Sequence, residues 1–283
     1  MESRPVVLIT GCSTGIGFET ALLLAKESYQ VFATMRDLKK AGPLRQAAQG
    51  LPLKILVLDV DKPASVRKAV ASILKKAGRL DVLVNNAGWG AFGAVEEFTD
   101  QEILKQFETN VFGLLRVTKE VLPMMRAQKS GRIFHIGSLA GRMAFAGIGL
   151  YCSSKYAVEA ITDSMRLELR PFNIQVAVIE PGSIATPFKV NRRKAEVFLK
   201  GKSAYQKTLQ NILDFGNHQS ALTPKPLKVA QTISRALRDR RLAARYPVGL
   251  DAVFFPKIRW FLPDFLFDWV MKRAYLRFQK GMS

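Results

Sequence analysis

The stretch Pro5-Val6-Val7-Leu8-Ile9-Thr10-Gly11-Cys12-Ser13-Thr14-Gly15-Ile16-Gly17 decides the fold. Its first half is an unbroken aliphatic run, the pattern of a strand buried on both faces. Its second half sets glycines at 11, 15 and 17, immediately before an apolar helical segment. Glycines in such a turn let the backbone bend tightly and approach a pyrophosphate. The helix start beyond them offers free N–H groups and a partial positive charge. Alone, the loop reads either as this cradle or as an ordinary strand–helix turn. Its place in the first crossover favours the cradle, with Gly11, Ser13, Thr14, Gly15, Ile16 and Gly17 as its residues.

Outward from this loop, strand-length runs alternate with helix-period segments. The strands are expected at Val6–Thr10, Val31–Met35, Leu53–Leu58, Val82–Asn85, Arg132–Ser138 and Gln175–Ile179. Helices are expected at Gly17–Lys26, Pro63–Ala77, Asp100–Gln128 and Tyr151–Leu169. Such alternation implies right-handed crossovers and an α/β, doubly wound parallel sheet of the Rossmann type, with ligands at the carboxyl ends of the strands. No composition shift or repeat interrupts the chain before residue 250. One catalytic domain over 1–250 is therefore expected, followed by a C-terminal aromatic and basic helical extension over 251–283.

Composition narrows the function classes. The longest stretches free of Lys, Arg, Asp and Glu are 14 residues, Pro5–Phe18 and Val82–Val95, short of the roughly 20 apolar residues of a spanning helix. No basic start followed by an apolar leader is visible, which gives a cytoplasmic expectation. Two cysteines, Cys12 and Cys152, make no disulfide framework. With only two histidines, His135 and His218, neither a metal site nor a Ser-His-Asp triad is expected. His135 reads as a satisfied core residue and the cysteines as packing. The charge is uneven: residues 189–283 hold 20 Lys/Arg against 6 Asp/Glu. This basic third will attract an anionic partner.

The end of the second strand bears on cofactor choice. An acid there would hydrogen-bond a ribose 2′-hydroxyl, and a nearby Arg would take a 2′-phosphate. The strand ends Thr34-Met35-Arg36-Asp37. Asp37, 20 residues after Gly17, gives an NAD reading a hearing. The preferred reading makes Asp37 the N-cap of the next helix. Arg36 is then left to pair with the phosphate of NADP(H), with Lys39 and Lys40 adding field. Otherwise Arg36 is a solvated charge.

Tyr151-Cys152-Ser153-Ser154-Lys155 sets Tyr151 and Lys155 four apart, one above the other on a helix. A free tyrosine, with a pKa near 10, is a poor acid–base group at neutral pH. An ammonium one turn away is expected to bring it toward the working range. Ser138 ends the fifth strand and can polarise a carbonyl in the same cleft. A lone Tyr-x3-Lys is common by chance; its order after a phosphate loop and a strand-end serine is specific.

With these residues in hand, the chain resembles the classical short-chain dehydrogenase/reductases over roughly residues 5–250. The match rests on Thr10–Gly17, Asp59-Val60, Asn85-Asn86-Ala87-Gly88, Asn110, Ser138, Tyr151 with Lys155, and Pro181-Gly182. The resemblance implies that Asp59 and Val60 approach adenine and that Asn86, Ala87 and Gly88 line the cofactor. It places Pro181, Gly182, Ile184 and Thr186 at the nicotinamide. It implies that Asn110 kinks its helix and holds a water that connects Lys155 to solvent. It makes Tyr151 the proton donor and Ser138 the group orienting the substrate oxygen, with Lys155 and Asn110 completing the set. It also implies a homodimer or homotetramer through the helices that carry Asn110 and Tyr151.

The phrase Val31–Leu38 and the segment after Pro181-Gly182 most resemble the 17β-hydroxysteroid and retinol dehydrogenase branch. This implies an apolar, steroid-, retinoid- or lipid-like ketone, aldehyde or alcohol. Trp89, Phe92, Met143 and Phe145 are candidate pocket walls, as is the apolar series Phe188, Val197, Phe198, Leu199, Tyr205, Leu209, Ile212, Leu213 and Phe215; ordinary core is the alternative. Residues 252–280 hold nine of the 27 aromatics, with Arg273, Arg277 and Lys280 as a basic stripe. This reads as a peripheral contact with an anionic membrane, or equally as a lid or oligomer contact. Nucleic acid is the weakest reading, since no such motif accompanies the charge. Outside enzymes, the rivals are an idle NADP-binding scaffold and a membrane-associated interaction protein.

Overall fold

The computed structural model describes residues 4–188, 191–217 and 223–280, with side chains in all but 215–217 and 274–280. Nine strands lie among these residues. In chain order they are β1 (Val6–Ile9), β2 (Gln30–Met35), β3 (Leu53–Val57), β4 (Val82–Asn85), β5 (Ala91–Phe92), β6 (Gly131–Ile136), β7 (Ile174–Pro181), β8 (Arg193–Lys194) and β9 (Arg245–Val248). Seven of them form one sheet in the order β3-β2-β1-β4-β6-β7-β9. Every pairing in it is parallel. β5 and β8 form a separate two-stranded ribbon.

The sheet is doubly wound, and the period-2 alternation of each strand shows why. In β1, Val7 and Ile9 face one core with the helices Gly15–Lys26 and Pro226–Ala236. Val6 and Leu8 face the other, with Pro63–Ala77 and Leu114–Gln128. All four side chains are buried, so a run with no polar alternation is what a strand in this place requires. The strand order reverses beside β1, where β2 lies on one side and β4 on the other. At such a switch point a crevice opens outside the carboxyl ends.

The six expected strands are present, with ends shifted by a residue or two. Thr10 and Ser138 lie just past their strands, not inside them. The seventh strand, β9, was not expected. It is four residues long and contains Pro247, which a ladder tolerates because β9 is an edge. A second correction concerns Asp100–Gln128, which is not one helix. Asp100–Phe107 runs into a π-helical turn, Glu108–Gly113, and resumes as Leu114–Gln128. The turn carries Asn110, and Gly113 allows it to pack closely: a Cβ there would lie 2.8 Å from Val60 Cγ2.

After β9, Gly249 takes a positive φ of 107° and the chain turns into two helices, Leu250–Phe261 and Asp264–Lys280. The elbow between them is held by an Arg259–Asp264 ion pair and by Arg259 stacked 4.6 Å over Phe267. The second helix approaches Gln206–Asn217. Among the described residues no helix is long and apolar enough to cross a membrane.

Candidate active site

The loop after β1 is shaped by its glycines. Gly11 and Gly15 have φ of 73° and 63°, which L side chains rarely adopt. A Cβ on Gly11 would stand 2.9 Å from Ala87 Cα, and one on Gly17 would stand 2.6 Å from Gly11 O. Asn86 fixes the loop from β4, its Nδ2 donating to Thr10 O at 2.8 Å and to Gly11 O at 3.0 Å. The Thr10 hydroxyl accepts the N–H groups of Asn86 and Ala87. The result is a tightly turned backbone packed against Asn86 and Ala87, of the kind that lets a pyrophosphate approach the main chain.

A cleft of about 1030 Å³ runs from this loop across the strand ends. Gly11, Ser13, Thr14, Gly15 and Ile16 form its floor, and Asn86, Ala87 and Gly88 flank it. Asp59 and Val60 line one end, with Arg36 and Lys40. Pro181, Gly182, Ile184 and Thr186 line the other side. Gly17 stands behind this wall, not in it: its role is the close approach to Gly11 O and Asn86. Asp37 caps the 3-10 turn Leu38–Ala41, its Oδ1 accepting the Lys39 N–H at 2.9 Å. Arg36 is thereby left facing the cleft with Lys40, whereas Lys39 does not line it.

Ser138, Tyr151 and Lys155 all line the same cleft. Tyr151 and Lys155 project from the helix Gly149–Glu168. The Lys155 ammonium lies 5.8 Å from the centre of the Tyr151 ring and donates to Ile136 O at 2.7 Å. Burial dominates both groups. It pushes the Tyr151 hydroxyl up to about 12, opposed by a hydrogen bond to Ser138 and by the Arg192 charge. It lowers Lys155 to about 8. Desolvation thus outweighs Ser138 and Arg192, and the expected downward pull of Lys155 is not among the influences on Tyr151.

Asn110 is buried behind the wall, its three contacts all spoken for. Its Oδ1 accepts the Trp89 N–H at 3.1 Å, and its Nδ2 donates to Trp89 O at 3.0 Å and to the Ser154 hydroxyl at 3.1 Å. It joins the strand-end loop after β4 to the Tyr151 helix. The π turn supplies the kink that the resemblance implied.

At the apolar end, Trp89, Met143, Phe145, Phe188 and Ile212 line the cleft. Phe92 does not: it is fully buried in a separate cluster with Phe198, Leu209 and Leu213. Leu199 is exposed, and Tyr205 bonds to Glu96. The series after Pro181-Gly182 is therefore mostly local core, because its helices must pack on β5 before anything can line a cavity. The Phe215 side chain lies outside the described residues. Sequence reasoning missed Arg192, which lines the cleft near Tyr151. It also missed the latch formed by Asp251. The Asp251 carboxylate accepts the Ser183 N–H at 2.6 Å and occupies the space a side chain on Gly182 would need.

The extension forms the cleft's outer wall. Phe255, Ile258, Leu262, Phe267, Val270 and Met271 all face it. Its other side is apolar and exposed: Trp260, Phe261 and Phe265 are 79%, 75% and 76% accessible. Arg273 stacks 4.1 Å over Trp269. The side chains of Arg277 and Lys280, the rest of the expected stripe, lie outside the described residues.

Cys12 and Cys152 are buried thiols, and burial drives Cys12 up to about 12, so neither is an activated nucleophile. His135 is buried, with Nδ1 paired to the Thr162 hydroxyl at 2.8 Å. It is not the fully satisfied residue expected, because Nε2 has no partner. Burial first, and then the Lys155 charge, lowers it to about 3. His218 lies outside the described residues.

Known proteins share this fold and much of this sequence. Residues 5–197 match the family model described as short chain dehydrogenase. The chain is 34% identical over 271 residues to a 3-ketodihydrosphingosine reductase of Bacteroides thetaiotaomicron, covering 95% of this chain and 97% of that protein. It is 35% identical over 262 residues to estradiol 17-beta-dehydrogenase 1 of Rattus norvegicus, covering 85% and 72%. The solved structure of ElxO with NADP bound superposes with a TM-score of 0.73 at 27% identity, covering 88% of this chain and 99% of that one. The chain belongs to the short chain dehydrogenase family of oxidoreductases.

Proposed function

We propose that this short chain dehydrogenase is an NADP(H)-dependent enzyme that interconverts an apolar ketone or aldehyde and its alcohol, with Tyr151 as general acid and base. One observation carries the reading: Ser138, Tyr151 and Lys155 meet in a single cleft whose far end is the glycine cradle and whose near end is apolar. An idle scaffold would need the cradle but not this trio. The cradle fits a dinucleotide because Gly11, Ser13, Thr14, Gly15 and Ile16 line the cleft at the start of the helix Gly15–Lys26. Arg36 and Lys40 at its end fit a 2′-phosphate, and the NADP held by ElxO is consistent with that.

When bound, NADPH supplies a hydride. The protein's own groups do the rest. Ser138 donates a hydrogen bond to the substrate carbonyl oxygen. Tyr151, whose hydroxyl burial pushes up to about 12, gives its proton to that oxygen as charge develops there. Lys155, held by Ile136 O, would hold the cofactor ribose hydroxyls and set its charge beside the tyrosinate left behind. Asn110 fixes the Trp89 backbone and Ser154 around this centre.

The extension suits an apolar substrate taken from a lipid surface. Its inner face lines the cleft and its outer face presents exposed Trp260, Phe261 and Phe265 near Lys257, Lys272 and Arg273. Aromatics beside basic residues suit an anionic bilayer. The lid reading and the membrane reading are then two faces of one element. Turnover of NADPH against a panel of apolar ketones tests the activity. Binding of NADPH with no turnover of any member would return the scaffold reading.

A further inference from the structure

The cations that line the cleft are Arg36, Lys40, Lys155, Arg192, Arg193 and Arg259. Arg36 and Lys40 sit at the cofactor end. Arg193 is stacked 4.3 Å over Trp89. Arg259 is paired with Asp264. Arg192 has no carboxylate within ion-pair distance among the described residues, although it is half-buried. The groups whose charge would oppose its own are Tyr151 and Cys152, both of which burial keeps protonated.

Its position is built, not incidental. Arg193, the next residue, donates its N–H to Gly90 O at 2.9 Å, and β8 pairs with β5 through Arg193 and Ala91. Gly90 leaves the room this needs: a Cβ on it would fall 3.1 Å from the Phe188 ring and 3.5 Å from Arg192 Cγ. Phe188 in turn packs 5.4 Å from the Tyr151 ring. The Arg192 stem and the Phe188 ring therefore flank Gly90, and the Arg192 charge reaches Tyr151 and Cys152 in the cleft that Trp89, Phe145 and Ile148 also line. A desolvated guanidinium without a counter-charge is costly. Its planar fork matches a carboxylate or phosphate.

We infer that Arg192 is the receptor for an anionic group on the substrate, so that the substrate class is an amphipathic acid. Such a molecule has a hydrocarbon body against Phe145, Ile148, Phe188 and the extension, a carbonyl or hydroxyl at Tyr151, and a carboxylate or phosphate at Arg192. The same charge disfavours amino-ketones. This inference rests on the reading of the cleft as a reductase site.

Calorimetry on the full chain with NADP⁺ tests it, using decanoate, decyl phosphate, decanol and decylammonium as non-reacting probes. Decanoate or decyl phosphate should bind at least tenfold more tightly than decanol, with decylammonium weakest; the stronger of the two anions identifies the source of the charge. Arg192→Gln should remove the anion advantage, and Arg192→Glu should shift it to decylammonium. An anion advantage that survives Arg192→Gln, or no advantage in the native chain, overturns the proposal. So does a loss in Arg192→Gln confined to NADP⁺ affinity, which would assign the guanidinium to the cofactor. A parallel turnover series with a medium-chain oxo-acid and its methyl ester separates the two readings. Anion binding through Arg192 without turnover of either ketone defeats only the reductase reading. Turnover of both, with no charge preference in binding, defeats only this inference.

Discussion

The Asp251 carboxylate accepts the Ser183 backbone N–H at 2.6 Å and fills the space above Gly182. This one acid ties the first turn of the extension to the turn that closes β7. Replacing it with Ala removes a charge-assisted hydrogen bond, a loss of about 1.5–3 kcal/mol. The outer wall should loosen, raising KM for an apolar ketone more than it lowers kcat. Steady-state kinetics and thermal melts of Asp251→Ala check this; an unchanged KM would detach the extension from substrate binding.

Tyr151→Phe removes the proton donor and leaves the ring packed against Phe188. Turnover should fall by about 10²-fold or more, the scale of general acid catalysis. NADPH affinity, measured by fluorescence titration, should stay close to that of the native chain. Wild-type turnover in this variant would sink the mechanism.

Arg36→Ala should weaken NADPH binding by about 1.5–3 kcal/mol and leave NADH little changed, because only the former carries the 2′-phosphate. Equal effects on both cofactors would remove Arg36 from that role. A native preference for NADH would contradict the cofactor assignment as a whole.

The exposed face of the extension should partition onto anionic vesicles more than onto neutral ones. High salt should weaken the binding without abolishing it, since the aromatic part is insensitive to ionic strength. Replacing Trp260, Phe261 and Phe265 with Ser should cut vesicle affinity more than tenfold, given roughly 1.5–3 kcal/mol for burying one large apolar side chain. Co-sedimentation reads the result. Equal binding by the triple variant would leave the face without a lipid role.

His135 carries a pH dependence. Its folded pKa is lowered from 6.5 to about 3, so between those values the unfolded chain binds the extra proton. Its contribution to stability is complete above pH 6.5 and declines as pH falls toward 3. Glu159, raised to about 7 chiefly by burial and then by Glu180, works the other way: its cost grows as pH rises from 4.5 to 7. The comparison is therefore between native and His135→Gln melting curves over pH 7 to 4. The native Tm should fall more steeply; parallel curves would show that His135 does not titrate on unfolding.

What could be read from the sequence follows from what each residue answers to. The strands around β1 were legible because burial on both faces demands unbroken runs such as Val6–Ile9. β9 was not, because an edge strand escapes that demand and Arg-Tyr-Pro-Val carries no strand pattern. Tyr151, Lys155 and Ser138 were legible from chemistry and order along the chain. Asn110 was legible only by resemblance, since its π turn has no local signature. Phe92 and Trp89 are both apolar and three residues apart, yet one is core and the other lines the cleft. No spacing rule separates them. Arg192 was hidden within a general excess of positive charge, and only its surroundings distinguish it from a solvated arginine.

The helix that supplies the cleft's outer wall begins at Leu250, almost a hundred residues beyond Tyr151. Its seam with the sheet is made largely of main chain: a backbone N–H at Ser183, a missing side chain at Gly182 and one acid. The outer wall and the trio Ser138, Tyr151 and Lys155 are therefore supplied by separate stretches of chain. Substitutions past Gly249 should alter the outer wall and leave those three residues in place. An extension from a relative, given an acid at the same point of its first turn, should therefore dock here as a unit, and turnover of a ketone panel by the chimera would read how far this wall governs what the cleft accepts.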